Sequence, residues 1–488
     1  MRWFSARWFG AVLVAGGLLL PTAAGSETAL PTVSGPIAAT GIPGNPAHDY
    51  PFFASNHDLA LHGYVENEYL VNGTASRYET PPTGETGRVL DADHPYTTRI
   101  IVRRPADPHR FNGTVVVEWL NVTNGFDADN TWFFAWEHLL DSGYAWVGVS
   151  AQRVGVDRMK AWSPKRYGTL DVTQGGTITD DALSYDIYRQ VGAVLRHRGA
   201  GVDVLGGLRP QHIIATGESQ SAFRLSTYVN SVDPLDREYD GFLLLSTLGM
   251  HIRTDIARPV FKISTEFDVQ DAEAGARQPD SKLFRAWEMA GTSHVDYHLR
   301  LSREPLELRD LGTSSEATLA PTCGIPTIGT RVPAGDIMGA AYDELVRWVS
   351  GGAPPPSAPK IVVASMVEPH ARPELGATAP PARNAILARN ALGLAEGGIR
   401  LAAMDVPTGL SVGGNTGPGA CNRWGAYTPL SVAQLAQLYP SHAGYVHRVA
   451  EVSRANAVKG FILNGAAQRT IAAANASTIG TRPAVAHR

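Results

Sequence analysis

Between about residues 98 and 290 the chain repeats one pattern: a short apolar run rich in β-branched residues, then a turn or a stretch of helical spacing. Thr98–Arg103 (TRIIVR), Gly113–Trp119 (GTVVVEW), Tyr144–Val149 (YAWVGV), Gln211–Thr216 (QHIIAT), Gly241–Ser246 (GFLLLS) and Val260–Thr265 (VFKIST) each read as a strand, and Phe284–Ala290 (FRAWEMA) reads as the last. None alternates cleanly between apolar and polar positions, as expected of strands covered on both faces. Helical spacing lies between them, around Phe133–Leu140 and from Asp181 to Arg198. Strands alternating with helices imply right-handed crossovers, hence an α/β fold with a mostly parallel central sheet and helices on both faces. Ahead of this set, Gly63–Tyr78 alternates weakly, as a solvent-facing hairpin or edge strand does. Behind it, Ala340–Val349 is an amphipathic helix. A Pro/Gly/Ala-rich stretch over 351–420 then reads as loop, broken by Ile361–Ala364 and Ala385–Leu394, before helical patterning returns over Leu430–Asn475, notably Tyr445–Val458. The pattern therefore divides the chain into a core over 26–350, with an N-terminal edge hairpin, and an extension over 351–488. That extension is too long and too apolar to float free. It is expected to fold back on the C-terminal edge of the sheet as a lid or pocket wall.

The first 25 residues stand apart. Arg2 and Arg7 precede an apolar stretch from Phe9 to Leu20 that ends in Pro21-Thr22-Ala23-Ala24-Gly25. A positive start, a short apolar run and small residues at its end make a secretory signal peptide, so the mature protein is expected to be secreted or periplasmic, with no membrane attachment after cleavage. Export gives meaning to the two cysteines of the chain: Cys323 and Cys421 are expected to pair. No Cys-x-x-Cys or His-Glu-x-x-His spacing occurs, so neither metal nor cofactor is implied. A formal charge of −4 over 488 residues gives no footprint for nucleic acid. A small-molecule substrate is the partner class that remains; the sequence is silent on oligomeric state.

The candidate chemistry begins at Gly217-Glu218-Ser219-Gln220-Ser221, where an apolar strand runs directly into a helix pattern (Phe223, Leu225, Tyr228, Val229). Gly-x-Ser-x-Ser in that context is a nucleophile elbow, a tight strand-to-helix turn that lifts a hydroxyl above the sheet. Ser221 stands where the commoner motif has Gly, and it is still small. A serine needs a base, and the base needs an orienting acid; on this fold they follow in the order Ser, acid, His. After Ser219, the strand VFKIST ends in Glu266-Phe267-Asp268, and FRAWEMA ends in Gly291-Thr292-Ser293-His294. Both positions lie just past strand C-termini, on the edge that carries the elbow. His294 is thus the candidate base. Asp268 is preferred to Glu266 as the acid, and His251 is set aside because it precedes both. An oxyanion hole needs backbone N–H groups, one from Gln220 and the other from the loop after GTVVVEW, that is Leu120-Asn121-Val122. Loops 150–180, 270–282 and 300–427 are expected to shape the pocket.

The runs GYVENEYLVNGTASRY, RFNGTVVVEWLNVTNG, VGVSAQ, SYDIYRQ, GESQSAFRLSTYVN, YDGFLLLS and EMAGTSHVDYH resemble a group of bacterial and fungal alpha/beta hydrolase domain-containing proteins. The resemblance covers about residues 55–300 and, more loosely, GGIRLAAMDVPTG at 397–409. It implies the α/β-hydrolase fold with Ser219 as nucleophile and His294 as base. The resulting expectation is an exported serine hydrolase that cleaves a carboxylic ester through an acyl-enzyme. A lactonase, amidase or acyltransferase would use the same residues, and a non-catalytic secreted binding protein on this fold is the rival from another class.

Overall fold

The computed structural model describes residues 30–82, 84–198, 201–370 and 382–481. The expected signal peptide, residues 1–25, lies outside them. The core is a nine-stranded sheet: β1 (Thr32–Ser34), β2 (Tyr64–Glu79), β3 (Arg88–Pro105), β4 (Thr114–Trp119), β5 (Ala145–Val149), β6 (His212–Glu218), β7 (Gly241–Leu245), β8 (Val260–Thr265) and β9 (Phe284–Met289), in the spatial order β1-β2-β3-β5-β4-β6-β7-β8-β9. From β5 through β9 every neighbouring pair is parallel, whereas β1, β2 and β3 run antiparallel and β3 joins β5 antiparallel. The run TRIIVR is thus the inner end of an 18-residue strand, and GYVENEYLVNGTASRY is one arm of a long ribbon with it. That arm lies one strand in from the edge, because β1 pairs outside it.

The absence of alternation has its cause in burial. Every residue of β4, β5, β7 and β8 is buried, as is all of β6 after its first residue. Within β4 the exception in chemistry is Glu118, whose carboxylate accepts from Thr131 N (2.7 Å), Trp132 N (3.0 Å) and Trp146 Nε1 (3.0 Å). These bonds hold the first turn of helix α1 (Asn130–Asp141) against the sheet, where the free N–H groups of a helix start favour an acceptor. Burial, with Asp129 nearby, pushes the Glu118 carboxyl up to about 8. Helices α2 (Arg153–Trp162), α3 (Ser184–His197) and α4 (Gln220–Thr227) follow. Helix α5 (Glu266–Asp271) starts directly at the end of β8, and α6 (Tyr297–Leu311) and α7 (Ala334–Val349) follow β9. Among the described residues no helix is long and apolar enough to cross a membrane.

The chain after α7 stays on this core. Ile399 forms a parallel bridge with Met289, its N–H donating to Glu288 O (2.7 Å) and its carbonyl accepting from Ala290 N (3.0 Å). The segment predicted to be loop thereby covers the open edge of β9, which would otherwise expose unpaired backbone. Two antiparallel pairs, β10 (Val363–His370) with β11 (Ala382–Leu387) and β12 (Gly409–Val412) with β13 (Ala426–Pro429), precede helices α8 (His442–Val458) and α9 (Asn464–Ala476). Cys323 and Cys421 form a disulfide, with 5.4 Å between their Cα atoms.

Candidate active site

Parallel register brings the C-terminal ends of β4, β6, β7, β8 and β9 to one edge, so the residues just beyond each strand become neighbours. Ser219 follows β6 at φ +58°, ψ −121°. This left-handed conformation costs a non-glycine residue about 1–3 kcal/mol and persists only where the surroundings enforce it. Gly217 suits the turn because a Cβ there would sit 3.1 Å from Ser221 C and 3.2 Å from Ala222 N, tighter than ordinary contact. Ser221 has a positive role that its size alone did not suggest. Its hydroxyl donates to Glu218 O (2.8 Å) and accepts from Glu218 N (3.0 Å), closing the turn from inside.

The Ser219 hydroxyl lies 2.8 Å from His294 Nε2, and His294 Nδ1 lies 2.8 Å from Asp268 Oδ1. All three side chains are buried, Ser219 retaining 7% and His294 6% of their accessible surface. The two carboxylates beside the end of β8 have separate environments. Asp268 turns one oxygen to the imidazole and gives the other to Ser246 Oγ (2.5 Å), Thr265 Oγ1 (2.6 Å) and Thr265 N (3.0 Å). It forms a capping box with Thr265, so the acid sits in the first turn of a helix rather than on an open loop. Glu266 points elsewhere: it accepts from Gly291 N (2.7 Å), Gly413 N (3.1 Å) and Arg389 Nη2 (3.1 Å). It joins the acid helix to the His294 turn and to two points of the C-terminal segment, and makes no hydrogen bond with His294.

These contacts decide the electrostatics. Burial opposes the charged form of Asp268, but the His294 imidazole and the Ser246 and Thr265 hydroxyls outweigh it, and its carboxyl is held below the usual carboxylate range. Burial likewise opposes the charged form of His294. There the Glu218 and Asp268 carboxylates outweigh it, raising the imidazole above its ordinary value. Arg423, whose carbonyl accepts from Val295 N (3.0 Å), pulls the other way.

The loop after β4 differs from expectation. The Leu120 N–H donates to Val149 O (3.3 Å) and the Asn121 N–H to Ala128 O (2.9 Å), so neither is available to an oxyanion; within 120–122 the Val122 N–H is left without a partner among the described residues. The correction has a plain cause: Leu120 continues the strand pairing and Asn121 closes a small bridge to Ala128. Asn121 still acts at the elbow, through its side chain, which donates to Glu218 O (2.8 Å). Gln220 N–H is the first of helix α4, outside the intrahelical ladder. Its side-chain amide donates to Gln152 Oε1 (3.0 Å), which also accepts from Trp119 Nε1 (3.0 Å). His251 lies away from this cluster, its carbonyl accepting from Asn230 Nδ2 (2.8 Å). Among the described residues no group of three or more His, Cys, Asp or Glu side chains is arranged to hold a metal ion.

Sequence reading missed Glu218, Ser246, Thr265 and Asn130. Only Glu218 carries a signal, as a carboxylate at the end of a strand whose centre is apolar.

A parallel sheet that delivers a serine, a carboxylate and a histidine, in that chain order, to its C-terminal edge is the arrangement of an α/β hydrolase. Residues 33–472 match the family described as "Alpha/beta hydrolase domain" (Abhydrolase_10), and the chain belongs to that family. Solved structures similar to it include XC6422 from Xanthomonas campestris, an a/b serine hydrolase without lid, at 14% identity over 50% of this chain and 95% of that chain, TM-score 0.29. An alpha-beta serine hydrolase homologue from Coxiella burnetii matches at 13% identity over 49% of this chain and 97% of its own, TM-score 0.27. The esterase Est22 matches at 12% identity over 51% of this chain and 78% of its own, TM-score 0.30. No functionally curated protein matches the sequence.

Proposed function

We propose that this hydrolase is an exported serine esterase that cleaves a carboxylic ester through an acyl-enzyme on Ser219. The observation that carries the reading is the unbroken chain of 2.8 Å contacts from Ser219 Oγ through His294 to Asp268. Asp268 holds the proton of His294 on Nδ1, which leaves Nε2 as an acceptor. Nε2 takes the hydroxyl proton as Ser219 Oγ bonds to the ester carbonyl carbon and the carbonyl π pair moves to oxygen. Gln220 N–H, with Val122 N–H from the facing loop, stabilises that oxyanion. Collapse of the intermediate breaks the carbon–alkoxy bond, and the Nε2 proton goes to the departing alkoxide. Water then repeats the sequence on the acyl-enzyme, giving the acid and free Ser219. The extension beyond residue 350 meets the acid helix at Glu266, through Gly413 and Arg389, and this contact supports reading it as a wall of the site. Export rests on the charge and apolar pattern of residues 1–25; the N-terminal sequence of the secreted protein tests it.

The decisive test is a fluorophosphonate probe followed by a panel of acyl and alcohol esters. Labelling is expected at Ser219. The Ser219→Ala variant is expected to fold as the wild type does and to lose both labelling and ester turnover. Labelling at another serine, or turnover retained in Ser219→Ala, overturns the assignment.

A further inference from the structure

We propose that Glu218 is a second carboxylate of the catalytic base, standing against the same imidazole nitrogen that takes the serine proton and governing how readily it takes and releases it. The proposal rests on the esterase reading of Ser219 and His294. Glu218 Oε1 lies 3.2 Å from His294 Nε2, both side chains being buried, and it has no hydrogen-bond partner. The other oxygen is anchored: Glu218 Oε2 accepts from Asn130 Nδ2 (2.8 Å) and, at longer range, from Asn121 Nδ2 (3.4 Å). Asn130 is itself held in place because Glu118 fixes the first turn of α1. The free oxygen is therefore aimed at Nε2 by the scaffold.

The orientation has a chemical consequence. In the resting site the lone pair of Nε2 faces the carboxylate as well as the Ser219 hydroxyl, an unfavourable pairing of two acceptors. Once Ser219 Oγ bonds to the carbonyl carbon and its proton reaches Nε2, the same oxygen faces an N–H on a cation. Glu218 thus favours the state that resembles the transition state over the resting one, which is the condition for an interaction to raise the rate. When the leaving alkoxide takes that proton, the unfavourable pairing returns. Glu218 touches the reacting nitrogen but exchanges no proton with the substrate.

Burial pushes the Glu218 carboxyl up, against the pull of the His294 imidazole and the Asn130 amide; with Glu218 ionised, the pH dependence has a definite sign. The protonated imidazole is idle as a base, and the Glu218 carboxylate stabilises that form, placing the acid limb of kcat/KM above the ordinary histidine value. Three other charged groups face the pair: Asp268 on Nδ1, Arg423 beside the His294 turn, and Arg303 of α6, itself 3.0 Å from Glu307. All three persist in a Glu218 variant, so a difference between variant and wild type isolates Glu218.

The experiment compares kcat/KM for p-nitrophenyl acetate, and fluorophosphonate labelling of Ser219, across pH in wild type and Glu218→Gln. The acid limb is expected to move about one unit lower, with a plateau reduced about tenfold. Glu218→Asp, which keeps the charge but withdraws it from Nε2, is expected to shift the limb less in the same direction, and it carries the test if the Gln variant fails to fold. A titration of ¹⁵N-labelled histidine in Ser219→Ala, with and without Glu218→Gln, reads the His294 shift free of turnover. An unchanged limb together with an unchanged titration overturns the proposal and leaves Glu218 a structural residue. Absence of Ser219 labelling in the wild type overturns the esterase reading instead.

Discussion

Replacing Asp268 by Asn separates the two neighbouring carboxylates most sharply. The amide oxygen is fixed by the surroundings, because Ser246 Oγ, Thr265 Oγ1 and Thr265 N all donate to the position of Oδ2. The amide NH2 must then face His294 Nδ1. That forces the imidazole to accept on Nδ1 and to carry its proton on Nε2, where it can no longer receive one from Ser219. A change of this kind in a serine triad costs about 10⁴ in kcat, equivalent to about 5.4 kcal/mol of activation free energy. Glu266→Gln is the matched control. Its carboxylate accepts three hydrogen bonds on two oxygens, and an amide can accept on one, so the variant turns a donor toward Gly291 N or Gly413 N. The expected cost is about 1–3 kcal/mol of stability, with turnover of the folded protein within about tenfold of wild type. The assay is kcat on a p-nitrophenyl ester for both variants, each normalised to its folded fraction by circular dichroism and urea titration. If Glu266→Gln lowers kcat more than Asp268→Asn by an order of magnitude, the tautomer argument fails and Glu266 is the acid.

Ser221→Gly restores the commoner elbow motif and is nevertheless expected to destabilise the protein by about 2 kcal/mol, from the two lost hydroxyl hydrogen bonds to Glu218 and a glycine in the first turn of a helix; a urea midpoint equal to or above wild type refutes it. Gly217→Ala is expected to cost about 1–3 kcal/mol by overpacking against backbone that cannot move aside, read as a lowered thermal midpoint with normal secondary structure. Removing the Cys323–Cys421 disulfide as the double alanine variant is expected to cost up to about 4–5 kcal/mol on the chain-entropy estimate for a loop of this length. Urea titration with and without reductant measures it, and two titratable thiols in the wild type contradict the bond.

The sheet was legible because burial on both faces removes the alternation of β4 to β8 and leaves unbroken apolar runs, each followed by turn residues. The elbow was legible for a local reason: only small residues fit where strand and helix backbones cross. The choice between Asp268 and Glu266 was open to sequence because both follow β8 within three residues; what parts them is the helix that starts at Glu266, which turns one side chain to the imidazole and the other to Arg389. Glu218 escaped notice since a strand-end carboxylate has no motif of its own, and its partner Asn130 comes from a helix 88 residues earlier. The Leu120 and Asn121 N–H groups were misassigned because backbone donors carry no side-chain signature, and their carbonyl acceptors at Val149 and Ala128 are set by tertiary pairing.

Glu266 also bears on how the site comes into being. Its three donors lie 25, 123 and 147 residues further along the chain. As synthesis runs from the N-terminus, Ser219, Asp268 and His294 all exist as sequence well before Gly413 arrives to close the contact beside the acid helix. Contacts of such long range form late, because the intervening chain must give up its freedom before they repay it. Deletion mapping therefore has a trap built into it. A fragment ending at residue 350 keeps every residue of the triad, yet leaves the Glu266 carboxylate with one of its three donors, Gly291 N, and without the chain that covers it. Activity lost on trimming the C-terminal third reports the support of the acid helix, and is no sign that a reacting group resides in the part removed.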